Sequence, residues 1–143
     1  MDGFPYSCII EVRYLDIDAA NHVNNAVLVT YLEIARMRLW QERFGFSGQA
    51  SEIPYVLARL AIDYRSPIRL GDTVEVGLGV TRIGSSSFTL VYRVEAAGRL
   101  AAEAESIQVQ VDLATGRPEP IPADLRELLR TLVMPAQPAS SAT

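Results

Sequence analysis

Asp16, Asp18, His22, Asn24 and Asn25 fall within one ten-residue window, 16–25, and His22 is the only histidine of the chain. A carboxylate can attack an electrophilic carbonyl carbon or take a proton from the water that does so. An imidazole exchanges protons near neutral pH, and His22, four residues after Asp18, is within hydrogen-bond reach of it in a turn. If a helix begins just downstream, its first turn presents amide N–H groups without intrahelical partners, and the helix dipole adds partial positive charge. The backbone N–H groups of Asn24 and Asn25 would then stabilise a developing oxyanion. The same residue types also serve as helix caps and turn formers, and spacing alone leaves both roles open.

Two elements must position this window. Upstream, Cys8, Ile10, Val12 and Tyr14 alternate with Ile9, Glu11 and Arg13, the period-two pattern of a strand buried on one face, which stops near Leu15. Downstream, Leu28, Leu32, Ala35 and Leu39 recur at helical spacing from about Asn25 to Phe44, and Tyr31, Ile34 and Trp40 widen the stripe. So broad a stripe predicts a helix cradled by a sheet. Asn24 or Asn25 can cap its start and Gly45 can end it. Glu33 and Arg36 are spaced for an i,i+3 ion pair, and Asp16 reads as a structural hydrogen-bond acceptor.

Beyond a loop rich in Gly, Ser and Gln, the segment Tyr55 to Tyr64 sets Val56, Ala58, Leu60, Ile62 and Tyr64 on one face of a second strand. Ser66-Pro67 interrupts it, since proline has no N–H for a ladder, and Gly71-Asp72 offers a turn. Val74, Val76, Leu78 and Val80 then mark a third strand, and Phe88, Leu90, Tyr92 and Val94 a fourth, with turns at Gly84-Ser85-Ser86 and Ala97-Gly98. In the fifth, Leu100 to Leu113, the apolar parity changes between Ala104 and Ile107, which predicts a β-bulge near Glu105-Ser106. Pro122 opens a short final helix with Leu125, Leu128, Leu129 and Leu132 on its apolar side. The fold class is α+β: a five-stranded antiparallel sheet, four of its strands in a meander, against one long helix.

Length allows a single domain over 1–134, and the Pro-containing polar tail 135–143 reads as disordered. One cysteine, Cys8, forbids an intrachain disulfide, and the first residues lack a secretory pattern, so the expected compartment is the cytoplasm. A net charge of −4 argues against a nucleic-acid partner, and no apolar run approaches a membrane span. Neither a metal-ligand spacing nor a Gly-rich nucleotide loop is present, so no metal or cofactor is expected. For a phosphate-bearing ligand, Arg82 with Ser85 and Ser86 pairs a cation with a small-residue turn, and Arg65 is a comparable cation at another strand end.

Several stretches resemble the hotdog-fold acyl-CoA thioesterases, the family of the 4-hydroxybenzoyl-CoA thioesterases and their fatty-acyl relatives. They are Arg13-Tyr14, Asp16-x-Asp18, His22-Val23-Asn24-Asn25, Tyr31-x-Glu33-x-Ala35-Arg36, Asp63-Tyr64-Arg65-Ser66-Pro67, Leu70-Gly71-Asp72, Arg82-Ile83-Gly84 with Ser87-Phe88, and Asp112 to Arg117. The resemblance runs from Glu11 through Leu129. It implies a sheet wrapped around the long helix, subunits joined edge to edge as a homodimer or homotetramer, and an acyl-CoA substrate hydrolysed to an acid and free CoA.

The family's catalytic acid falls on Asp18, as nucleophile or general base. Fatty-acyl members carry a similar His-Val-Asn-Asn run and use the histidine, which extends a catalytic role to His22 and, with the helix amides, to Asn25. Asn24, Tyr64, Arg65, Arg82, Ser85 and Ser86 are then the expected substrate and CoA contacts. Another branch uses a helix carboxylate, which makes Glu33 a secondary candidate. Many members have an aromatic residue where this chain has Leu28, so an aliphatic acyl group is expected. Hydrolysis of a carrier-protein thioester and non-catalytic thioester binding are the competing readings on the same fold.

Overall fold

The computed structural model describes residues 1–135, so nearly all of the expected tail lies outside the described residues. Its main elements are β1 (Tyr6–Glu11), α1 (Asn25–Phe44), β2 (Tyr55–Tyr64), β3 (Thr73–Ile83), β4 (Ser87–Ala96), β5 (Arg99–Gln110) and α2 (Ala123–Thr131). α1 has the extent its periodicity predicts. The Asn24 side chain accepts the Ala26 N–H at its start, and Gly45 closes it in the left-handed conformation at φ 68°. Leu28, Leu32, Ala35, Leu39 and Trp40 are buried along the stripe. Each fully buried leucine of this kind contributes about 1.5–3 kcal/mol, so the helix is held mainly by the sheet beneath it.

The strand order is β1-β3-β4-β5-β2, antiparallel throughout. Only β3, β4 and β5 form the predicted meander; β2 departs from it and pairs with β5 at the far edge. The chain leaving β2 is tied to β5, with the Arg65 and Ser66 amides both donating to the Ala101 carbonyl and the Ser66 hydroxyl to that of Leu100. Proline at 67 ends that ladder. The connection 65–72 therefore crosses the end of the sheet, where the Ile68 carbonyl accepts the Val23 N–H at 2.7 Å. This crossing lays Arg65 to Ile68 beside the start of α1.

Three expectations change. β1 stops at Glu11 rather than near Leu15, and Tyr14–Asp16 forms a 3₁₀ turn. The carboxylate of Asp16 draws that turn together, leaving Tyr14 and Leu15 exposed. The bulge predicted near Glu105-Ser106 is absent. Instead β2 carries one extra residue at Ala58, which turns Val56 to the face opposite Leu60, Ile62 and Tyr64 rather than setting all of them on one face, and β5 carries one at Ala101.

Past Ala101, β5 holds one parity and turns Ala102, Ala104, Ser106, Gln108 and Gln110 inward. Hydropathy misreads the strand because three buried residues on it are polar. Ser106 shares a 2.6 Å hydrogen bond with the Tyr92 hydroxyl and accepts another from Gln108. The expected Glu33–Arg36 pair does not form either: Arg36 turns into this polar layer and donates to Tyr92 at 3.1 Å, while Glu33 faces solvent.

Gly77 and Gly79 on the outer face of β3 admit close packing of chain ends. A Cβ there would collide with Met1 and Phe4 in one case and with Met134 in the other. Among the described residues, no helix is long and apolar enough to cross a membrane.

Candidate active site

The loop from Asp16 to Asn24 is a small knot of hydrogen bonds between β1 and α1. Asp16, only 1% exposed, stands at its base. One carboxylate oxygen accepts the Arg13 N–H at 2.9 Å and the Tyr31 O–H at 2.7 Å; the other accepts the Arg13 guanidinium at 2.9 and 3.2 Å. Its carbonyl accepts the Asn24 N–H at 2.9 Å, and Ile17 bridges Val23. Burial pushes the Asp16 carboxyl up, but the bonds from Arg13 and Tyr31 outweigh it and hold it below the usual carboxylate range. This is the structural acceptor that the sequence suggests.

At the tip, Asp18 is exposed. One of its oxygens accepts the N–H groups of His22 at 3.0 Å and Ala20 at 2.9 Å, while its own N–H donates to the His22 carbonyl at 2.8 Å. Its other oxygen has no hydrogen bond among the described residues. The His22 amide, opposed by some desolvation and aided by the Ala20 amide, holds the Asp18 carboxyl below its ordinary range. Asp18 is therefore an anion at neutral pH, with one oxygen anchored and one available.

The helix start separates the two expected amide donors. Asn24 is fully engaged, its N–H on Asp16 and its side chain on Ala26, whereas the N–H of Asn25 has no partner among the described residues. Asn25 lines a cleft of about 310 Å³ together with His22, Val23, Leu28 and Tyr64. The crossing segment Arg65 to Ile68 and Ala101 complete it. The Tyr64 hydroxyl donates to the Asn25 carbonyl at 2.8 Å, tying the end of β2 to the first residue of α1. A larger groove of about 960 Å³ lies on the outer face of the sheet, lined by Arg59, Arg93, Glu95, Glu103 and Glu105. It touches none of the groups in the 16–25 window.

The structure thus gathers His22, Asn25, Tyr64 and Arg65 at one cleft, with Asp18 and Asn24 on the adjoining loop. Arg65 lies against Glu103 at 3.2 Å. Arg82, Ser85 and Ser86 are not brought to it. They sit at the β3–β4 turn, while the Asp16–Asn24 loop adjoins the opposite end of the sheet, where Thr73 pairs with Glu11. The length of β3 puts about 30 Å between the two ends at ~3.3 Å per residue. Glu33 points to solvent. Sequence reasoning assigned Tyr31, Ile68 and Ala101 no part in the site; Ser66-Pro67, whose local reading was a strand stop, was the signal for the crossing segment. No group of three or more His, Cys, Asp or Glu side chains suited to a metal occurs among the described residues.

A family model described as the thioesterase-like superfamily matches residues 12–129. The chain is 31% identical to the long-chain acyl-CoA thioesterase FadM of Escherichia coli K12 over 127 residues, covering 87% of this chain and 96% of that protein. It is 30% identical to the acyl-CoA thioester hydrolase YbgC of E. coli O6:H1, covering 81% and 89%. Among solved structures, a Thermus thermophilus thioesterase complexed with coenzyme A and Zn superposes with a TM-score of 0.82 at 39% identity, covering 92% and 96%. The PA5185 protein of Pseudomonas aeruginosa gives 0.87 at 28%, covering 95% and 96%. Fold and sequence agree: the chain belongs to the thioesterase-like superfamily and has its hotdog fold.

Proposed function

We propose that this protein hydrolyses acyl-CoA thioesters to a carboxylic acid and free CoA, with the Asn25 amide and the Asp18 carboxylate as the central groups. The observation that supports the reading is an uncommitted amide at a helix start on the wall of a cleft, with a carboxylate that has one free oxygen on the loop leading to that helix. The thioester carbonyl oxygen accepts the Asn25 N–H, where the dipole of α1 adds to the polarisation. The free oxygen of Asp18 either bonds to the carbonyl carbon, giving an anhydride that water then opens, or removes a proton from the attacking water. In both routes the C–S bond breaks as the tetrahedral adduct collapses, and the thiolate takes up a proton. His22, on the cleft wall, can carry that proton.

The relatives' names support a CoA thioester, and the wall residues Val23, Leu28, Ile68 and Ala101 support an aliphatic acyl group. Tyr64 and Arg65 border the cleft where a phosphate-bearing leaving group would pass.

We also infer a dimer joined through β2. Its Val56 and Leu57 are 51% and 41% exposed, and as an edge strand it leaves ladder groups unpaired on one side. A two-fold axis between antiparallel β2 strands would carry Arg82, Ser85 and Ser86 of the partner subunit to this subunit's cleft. Sedimentation equilibrium giving the mass of a single chain would remove that part. The lone cysteine is free, in keeping with a cytoplasmic protein.

The test is thiol release from acyl-CoAs of graded length and aromaticity, with Asp18→Asn as control. Turnover on aliphatic substrates should fall at least about a hundredfold in the variant. Binding of acyl-CoA without thiol release at any chain length would replace hydrolysis with a binding role.

A further inference from the structure

We propose that Tyr31, acting through Asp16, is a positioning residue for this site; the proposal rests on the functional reading above. Tyr31 lies on α1, nearly two turns beyond Asn25, and is only 2% exposed. Its O–H donates to the Asp16 carboxylate at 2.7 Å, a bond that joins the helix to the loop. The backbone carbonyl of that same Asp16 receives the Asn24 N–H. Asp16 therefore fixes the helix start twice, from inside through Tyr31 and at the cap through Asn24.

The two contacts have a common consequence. With the Asn24 amide engaged, Asn25 is the first residue whose N–H is free to face the cleft. Inside the Ile17–Val23 bridge, Asp18 and His22 close their short ring of hydrogen bonds. The distance between the free Asn25 amide and the free Asp18 oxygen is thus governed by a buried phenol that touches neither. A shift of about 1 Å in such a pair is enough to cost on the order of a hundredfold in rate. Arg13 cannot substitute for the phenol: its guanidinium is mostly exposed and binds the loop to itself rather than to the helix.

Tyr31→Phe removes one hydroxyl and preserves the buried ring. The expected result is a kcat on acyl-CoA lowered about tenfold with KM within twofold. The acid limb of the pH–rate profile should move upward, because the amides that depress the Asp18 carboxyl are held less firmly. Amide hydrogen exchange at His22 and Asn24 should quicken at least tenfold while exchange in β4 stays unchanged.

A merely structural role would lower Tm and leave kcat, the acid limb and loop exchange as in the wild type well below the melting range, and that outcome overturns the proposal. Faster loop exchange with wild-type kcat overturns it equally. Failure of the underlying functional reading would appear elsewhere, as full thiol release by Asp18→Asn, and the positioning role would fall with it.

Discussion

The base and the tip of the 16–24 loop each carry an aspartate, two residues apart in one motif, and the two have opposite surroundings. At the base, Asp16 is enclosed and both its oxygens are saturated by Arg13 and Tyr31. At the tip, Asp18 is exposed, with one oxygen spent on the loop's own amides. A saturated carboxylate stabilises a fold but cannot approach a substrate; a half-satisfied one adds little to the fold and stays reactive. One short motif therefore divides support and chemistry between neighbours.

The sharpest way to break this contrast is to exchange the losses. Asp18→Asn should cost at least about a hundredfold in turnover, measured by thiol release, and leave the urea midpoint close to wild type. Asp16→Ala should cost about 2–3 kcal/mol of stability by urea unfolding, because the buried Tyr31 hydroxyl loses its acceptor. If Asp18→Asn destabilised as much as Asp16→Ala, the contrast would be lost.

Acid sharpens it further. The Asp16 carboxyl is depressed in the folded state, so its stabilisation is complete above the unfolded value, about 3.9, and is lost as pH falls through the lower folded value. The stability gap between wild type and Asp16→Asn should be constant near neutrality and shrink below about pH 4. A gap that widened on acidification would contradict the assignment. The smallest expected effect is at the helix cap, where Asn24→Ala should cost about 1 kcal/mol, read from the same unfolding curves.

Elements with one clean period were legible in the chain. α1 and its two caps stand where the Leu28–Leu39 stripe and Gly45 put them; β2 begins and ends as its sequence suggests, but the extra residue at Ala58 breaks the single face its alternation predicts. The site was legible as a set of candidates: His22, Asn25, Tyr64 and Arg65 do share one cleft. What failed was pairing. Nothing local in Tyr55 to Tyr64 tells it to bypass β3 for β5, since that choice is made by long-range ladder bonds such as those to Ala101. Inward polar residues defeated the parity reading of β5, because hydropathy cannot see that Ser106 and Gln108 are hydrogen-bonded to one another. The amides of Asn24 and Asn25 looked alike for the same reason: only the folded Asp16 carbonyl tells them apart.

The displaced second strand also bears on how the chain is made. Its pairing with the fifth strand joins residues 38 to 55 positions apart, so during synthesis the segment Tyr55 to Tyr64 emerges well before the strand it needs. Until residues 102 to 110 have left the ribosome it lacks its full lateral neighbour within its own chain. The wall formed by Tyr64 to Ile68 is accordingly among the last parts to assemble, and a nascent chain halted before that point would hold Asp18 and the helix yet lack the opposite side of its cleft.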